Sequence, residues 1–203
     1  MKIGVLGTGR VGRSIGQGLQ AAGHEVVYGS RDPASSEPLG TAVVSLSEAV
    51  TDAEVVVSAI PGSVALDTLR AIGAPALAGR ILMDIGNALA PDFTLIFPNA
   101  SLGAAIQGEF PDTAVVKTLN TVTAPLMSNP GAIAPTSVFL SGDDASAKTT
   151  VAGLLTDLGW SDAARIDLGG IETARGPEHY IFLSMALMRT LGTTGYGIAV
   201  QRG

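Results

Sequence analysis

The chain of 203 residues contains no cysteine. That excludes a disulfide framework, a thiolate nucleophile and a thiolate metal site. Basic residues are few: 12 Lys and Arg stand against 18 Asp and Glu, for a formal net charge of −6 without any basic run. This argues against nucleic acid as a partner, while an anionic cofactor, which needs only local donors, remains open. No stretch approaches the roughly 18 uninterrupted apolar residues of a membrane span; the strongest, Ile181 to Met188, stops at Arg189. The sequence begins directly on a strand-like apolar pattern, which leaves no room for a leader and predicts a cytoplasmic protein that contacts no membrane.

What is present is apolar: 46% of the residues are hydrophobic. A doubly wound parallel sheet accounts for this, because its strands are covered on both faces and read as continuous apolar runs; a large subunit interface would do the same. The organising stretch is the first twelve residues. Ile3, Val5 and Leu6 form a buried strand that runs into Gly7, Thr8, Gly9, Arg10, Val11 and Gly12, a G-x-G-x-x-G loop. In such a loop the first glycine turns the backbone sharply, the second lets a pyrophosphate come close, and the third lets the next helix pack on the strand. The helix expected from Arg10 to Ala22 aims its N-terminal N–H groups at that anion.

The second strand, His24 to Tyr28, leads to Gly29, Ser30 and Arg31. An NAD site carries an acid about 20 residues after the glycine loop to hold the ribose 2′-OH. Here a hydroxyl and a guanidinium stand instead, a pair suited to a 2′-phosphate, so the sequence predicts NADP(H). Asp32 is acidic and adjacent, but the following Pro33 predicts that it turns away into a loop.

Further strands are expected at Glu54 to Ile60, Arg80 to Ile85, Ala114 to Lys117, Thr136 to Leu140 and Ala164 to Leu168, separated by helices at Leu46 to Val50, Val64 to Ile72, Ser101 to Glu109 and Ala145 to Leu158. Ser45 or Ser47 caps the first of these helices and Ser101 the third. Strand ends face the ligand in open α/β sheets, so Ala59, Ile60 and Pro61 border the cleft. Asn87, at the tip of the fourth strand, either holds the nicotinamide side or serves a left-handed turn. Ala88 to Phe110 breaks the alternation with an apolar segment, expected to be a lid or an interface over the cleft, with loop packing as the alternative. Lys117 and Asn120 are spaced as in the K-x-x-N motif of hydroxyacid dehydrogenases, but Lys117 emerges from a strand, which favours a structural or cofactor-side role over proton transfer. Asp143 and Asp144 belong to a helix N-terminus and are not a metal pair. A helical stretch from Ile171, broken near Gly176 and Pro177, runs to Leu191 with a methionine-rich face suited to core or dimer contact. His24 and His179 are read as capping or surface residues.

Gly-Thr-Gly-Arg-Val-Gly, the Ser30-Arg31 tip, Ser58 to Pro61, Val116 to Thr121, and Asp167 to Gly170 followed by Ala174-Arg175 together make the chain resemble the NADP oxidoreductase, coenzyme F420-dependent family. The resemblance implies a Rossmann domain over residues 1–168 and a small helical part over residues 169–203 on the substrate and dimer side. It implies a homodimer formed through that part, and hydride transfer between NADPH and coenzyme F420 or a flavin. Thr8, Arg10 and Val11 would then contact the pyrophosphate, Ser30 and Arg31 the 2′-phosphate, and Ile60 and Pro61 the ribose side. A basic residue often found shortly after the Ser-Arg pair is missing, with Ala34, Ser35 and Ser36 in its place. Two alternatives stay open: a reductase of small carbonyl or imine substrates, with Lys117, His179 or Tyr180 as proton donor, and a non-catalytic NADP(H) sensor.

Overall fold

Strand-forming runs rich in Val, Ile and Leu recur along the chain, and the computed structural model, which describes residues 1–201, assembles them into one sheet. The strands are β1 (Lys2–Leu6), β2 (Glu25–Ser30), β3 (Val43–Ser45), β4 (Val55–Ser58), β5 (Ile81–Asp84), β6 (Ala114–Thr118), β7 (Val138–Ser141) and β8 (Arg165–Asp167). Their order is β3-β2-β1-β4-β5-β6-β7-β8, with every neighbouring pair parallel except β6 and β7. The first six follow the doubly wound dinucleotide-binding order, with its switch point between β1 and β4. The expected Rossmann-type sheet is thus present.

The helices are α1 (Arg10–Ala21), α2 (Leu46–Thr51), α3 (Gly62–Ile72), α4 (Ala74–Leu77), α5 (Leu102–Glu109), α6 (Ala124–Met127), α7 (Ala145–Asp157), α8 (Arg175–His179) and α9 (Ile181–Leu191). The pleat sends alternate strand residues into two cores. Ile3, Val5, Val57, Met83 and Val116 meet α1 and α7 through Ile15, Leu19, Val151 and Leu155. Leu6, Val56, Leu82 and Val115 meet α2, α3 and α5 through Val50, Leu69, Leu102 and Ile106. Each fully buried Leu, Ile or Val of this kind contributes about 1.5–3 kcal/mol. Gly4 allows the close approach of α2, since a Cβ there would strike the carbonyl oxygen of Ala49.

Three elements differ from the sequence expectation. Residues 43–45, for which no element is expected, form the edge strand β3, which is too short to show a period of its own. The break in the last helical stretch falls at Tyr180, between α8 and α9, and not at Gly176 and Pro177. Those two lie in the first turn of α8, where a missing N–H costs nothing. Between β6 and β7, where no helix is expected, the short helix α6 is followed by a 3₁₀ turn over residues 130–132.

The antiparallel β7 shapes the ligand side of the sheet. It pairs with β6 through only Lys117↔Ser141 and Thr118↔Leu140, so it overhangs the C-terminal edge of the parallel strands. The connection from β6 to β7 therefore stays on that edge and carries Asn120 to Met127 with it. The segment after α9 returns to the same edge: Ser137 N–H donates to Ile198 O at 2.6 Å, and the Thr123 hydroxyl donates to Thr194 O at 2.7 Å. Residues beyond 168 are thus fastened to the sheet at several points; the last two, Arg202 and Gly203, lie outside the described residues.

Candidate functional site

Strand ends β2, β1, β4, β5 and β6 open in that order onto one cleft of about 940 Å³. It runs from Ser30 and Arg31 at the tip of β2, across the glycine loop, to Gly86, Asn87 and Asn120 at the β5–β6 end, where Ile181, Ser184 and Met188 of α9 form the opposite wall. Eleven of the twelve residues singled out in the sequence line it: Gly7, Thr8, Gly9, Arg10, Val11, Ser30, Arg31, Ala59, Ile60, Pro61 and Asn87. The twelfth, Gly12, lies behind the loop, where a Cβ would strike the carbonyl oxygen of Gly7.

The loop is built for a close backbone approach. Gly7 has φ +114°, and a Cβ there would stand 2.7 Å from the Ala59 carbonyl oxygen. Its N–H donates to Gly29 O at 2.9 Å, tying the loop to β2. Gly9, by contrast, has nothing within 4 Å of a Cβ position. Its lack of a side chain serves no contact inside the protein and leaves room for a ligand. Gly9 is also the N-cap of α1 and supplies no side-chain bond, whereas α5 and α7 are capped by Ser101 and Asp144. The first N–H groups of α1 are left for an anion, and no acid stands in its first turn to compete. These features fit a dinucleotide pyrophosphate. Arg13 braces the loop by donating from Nε to Thr8 O at 2.8 Å.

At the β2 tip, Arg31 is exposed and faces the cleft. Asp32 still borders the cleft, contrary to the expectation that it turns away, but its carboxylate is taken up by its own loop. Its carboxylate accepts the Ser35 hydroxyl and the Ser35 N–H, the latter at 3.3 Å, and these bonds hold its carboxyl below the usual range. The Ser30 hydroxyl accepts the Asp32 N–H at 3.1 Å.

At the β5–β6 end the decisive residues are ones the sequence shows poorly. Lys117 and Asp84 are cross-strand neighbours, and Nζ lies 2.8 Å from Asp84 Oδ2 and 2.8 Å from Glu178 Oε1. All three side chains are buried, with exposures of 0%, 0% and 2%. Lys117 Nζ also donates to Gly86 O. Glu178 further accepts the N–H groups of Leu102 at 2.8 Å and Gly103 at 3.1 Å, and so sits on the N-terminus of α5. Burial pushes the Lys117 amine down, but the two carboxylates outweigh it and hold it above its usual value. Lys117 is therefore a buried, charged structural residue. A Lys-x-x-Asn spacing was the only sequence signal of this cluster; Asp84 and Glu178 become visible only once the register is known.

Asn120 and Asn87 bond reciprocally: Asn87 Nδ2 donates to Asn120 O at 2.9 Å, and Asn120 Nδ2 donates to Asn87 Oδ1 at 3.0 Å. His24 Nε2 pairs with Asp157 at 2.9 Å, away from the cleft. Neither His179 nor Tyr180 lines the cleft, and burial raises the Tyr180 phenol. The apolar segment 89–97, expected to be a lid or an interface, is no lid over this cleft. None of its residues lines it, and Phe93 is 62% exposed. A Leu89–Leu95 bridge folds it into a small hairpin of its own. The wall comes from α9 instead. Among the described residues no group of three or more His, Asp or Glu side chains could hold a metal, and no helix is long and apolar enough to cross a membrane.

The sequence profile of the family described as NADP oxidoreductase coenzyme F420-dependent matches residues 2–88. A solved structure from Arthrobacter sp. FB24, provisionally assigned as an F420-dependent NADP-reductase, is 43% identical, with a TM-score of 0.93 over 100% of both chains. The NADP-bound pyrroline carboxylate reductase of Plasmodium falciparum shares the fold, at 15% identity and TM-score 0.60 over 97% of this chain and 71% of that one. The metalloreductase STEAP3 of Rattus norvegicus is 29% identical over 180 residues, which are 87% of this chain and 36% of the relative. The chain spans about a third of the length of the curated relatives it matches.

Proposed function

This chain belongs to the NADP oxidoreductase, coenzyme F420-dependent family, and on that premise we propose that it transfers hydride between NADPH and a deazaflavin of the F420 kind or a flavin. The observation that carries the proposal is the unequal chemistry of the two ends of the cleft. The β2 end offers Ser30 and the Arg31 fork to a 2′-phosphate. Arg10, Arg31 and Asp32 are the titratable residues among those lining the cleft, and all belong to that end or to the glycine loop. The β5–β6 end offers amides, hydroxyls and apolar side chains, so it can hold a ring and exclude water but has no acid or base of its own.

Bound NADPH supplies a hydride, whose passage to a second ring needs alignment more than proton transfer. The glycine loop and the α1 N-terminus hold the pyrophosphate, with Thr8, Arg10 and Val11 against it and Gly12 keeping the helix close. Ala59, Ile60 and Pro61 flank the ribose side. Asn87 borders the nicotinamide, and Ile181, Ser184 and Met188 wall the space for the second ring. Residues 1–168 form the nucleotide part and the segment from 169 the substrate side. Phe182 and Leu183, 45% and 56% exposed on α9, are the face through which two copies pair.

A carbonyl or imine reductase would need a donor at the β5–β6 end. Lys117, His179 and Tyr180 are the candidates the sequence offers, and none reaches the cleft. Direct transfer is tested with NADPH deuterated at the nicotinamide C4. Appearance of the label on carbon in the reduced deazaflavin supports the proposal. Tight NADPH binding with no reduction of either ring acceptor would leave the sensor reading in its place.

A further inference from the structure

We propose that Asp84, Lys117, Glu178 and Asn120 are positioning residues for the nicotinamide end of the cleft, acting through the Gly86–Asn87 turn. The inference rests on the nucleotide reading above. That turn is held by four bonds. Gly86 N–H donates to Asp84 Oδ1 at 3.2 Å, and Gly86 O accepts Lys117 Nζ. The Asn87 side chain is held at both ends by Asn120, at 2.9 and 3.0 Å. From the other side α3 closes in so tightly that a Cβ on Gly62 would strike the Asn87 carbonyl oxygen.

The Lys-x-x-Asn spacing acquires a mechanical meaning in this arrangement. Lys117 in β6 and Asn120 just past its end grip successive residues just past the end of β5. Between them Leu119 adopts φ +57° while buried, a left-handed conformation that a leucine keeps only where its surroundings over-determine it. The turn it makes brings Asn120 back onto Asn87.

Glu178 extends the unit to the opposite wall. It lies on α8, directly ahead of α9, and binds Lys117 and the α5 N-terminus together. The floor of the nicotinamide end (Gly86, Asn87) and its wall (Ile181, Ser184) are therefore referenced to one buried ammonium. A buried charge cluster is a poor way to gain stability, since apolar side chains of similar volume do as well or better. What it supplies is directional bonding, which here ties the Gly86–Asn87 turn to the α5 N-terminus and to the helix directly ahead of α9.

The test separates the two ends of the nucleotide. Adenosine 2′,5′-bisphosphate carries the 2′-phosphate but has no nicotinamide, whereas NADPH engages both ends. Dissociation constants for both are measured by calorimetry in the wild type, in Lys117→Met and in Asn120→Ala. Hydrogen exchange at the Gly86 and Asn87 amides is followed in the same proteins. Expected are unchanged affinity for the bisphosphate, NADPH binding weakened about tenfold or more by misplacement, and faster exchange at Gly86 and Asn87. Lys117→Met strips a buried charge partner; if it fails to fold, Asn120→Ala decides alone. Equal loss of both ligands in Asn120→Ala, or an NADPH affinity equal to wild type, overturns the positioning role. Failure of the wild type to bind the bisphosphate overturns the nucleotide reading and this proposal with it.

Discussion

Asp32 accepts both the N–H of Ser35, at 3.3 Å, and its hydroxyl, so although it borders the cleft beside Arg31 its carboxylate is engaged within its own loop and Arg31 is the cation at the β2 tip. The acid beside the guanidinium is occupied by its own loop and does not oppose a phosphate. Arg31→Ala should therefore weaken NADPH and leave NADH untouched. A charge-assisted bond is worth about 1.5–3 kcal/mol, so the preference for NADPH should fall roughly ten- to a hundredfold, read from the ratio of kcat/KM for the two nucleotides.

The glycines of the loop should separate by function. Gly9→Ala should leave Tm unchanged, because nothing stands within 4 Å of its Cβ position, yet weaken NADPH binding. Gly12→Ala should lower Tm, because its Cβ would meet the Gly7 carbonyl oxygen. Thermal unfolding with and without NADPH checks both; equal Tm losses would contradict the division of roles.

Lys117→Ala should cost about 3–5 kcal/mol in urea unfolding, since it leaves Asp84 and Glu178 buried without their cation. The pH dependence has a definite sign. The folded-state value of Lys117 lies above its ordinary 10.5. Its contribution is thus complete below that ordinary value and is lost as pH rises through the higher, folded-state one. The wild type should show no stability change from this residue between pH 7 and 9 and an alkaline decline that Lys117→Ala lacks.

The α9 face predicts assembly. Phe182→Asp together with Leu183→Asp should convert a dimer into a monomer in light scattering while leaving NADPH affinity intact, because neither residue lines the cleft. A wild type that is monomeric at micromolar concentration would contradict it.

The sequence made some of this legible and hid the rest for physical reasons. The glycine loop, the Ser30-Arg31 tip and the Ser101 cap are local, each written within a few consecutive residues whose chemistry has one reading. The Asp84–Lys117–Glu178 cluster is not local. Its members lie on two strands and a late helix, brought together by the β5–β6 register and by the docking of Glu178 on the α5 N-terminus. The edge strand β3 is three residues long and carries no periodic signal. Around Phe93 apolar composition could not separate a lid from an interface or from loop packing; the structure shows a small hairpin away from the cleft, whose opposite wall is α9.

The central claim is tested most directly by following NADPH oxidation by the purified protein with oxidised coenzyme F420, beside a flavin, an NADH control and Arg31→Ala. The account predicts rapid reduction of F420 or the flavin, a preference for NADPH over NADH, and loss of that preference in Arg31→Ala. Tight NADPH binding without turnover of either acceptor, or equal rates with NADPH and NADH, would contradict it.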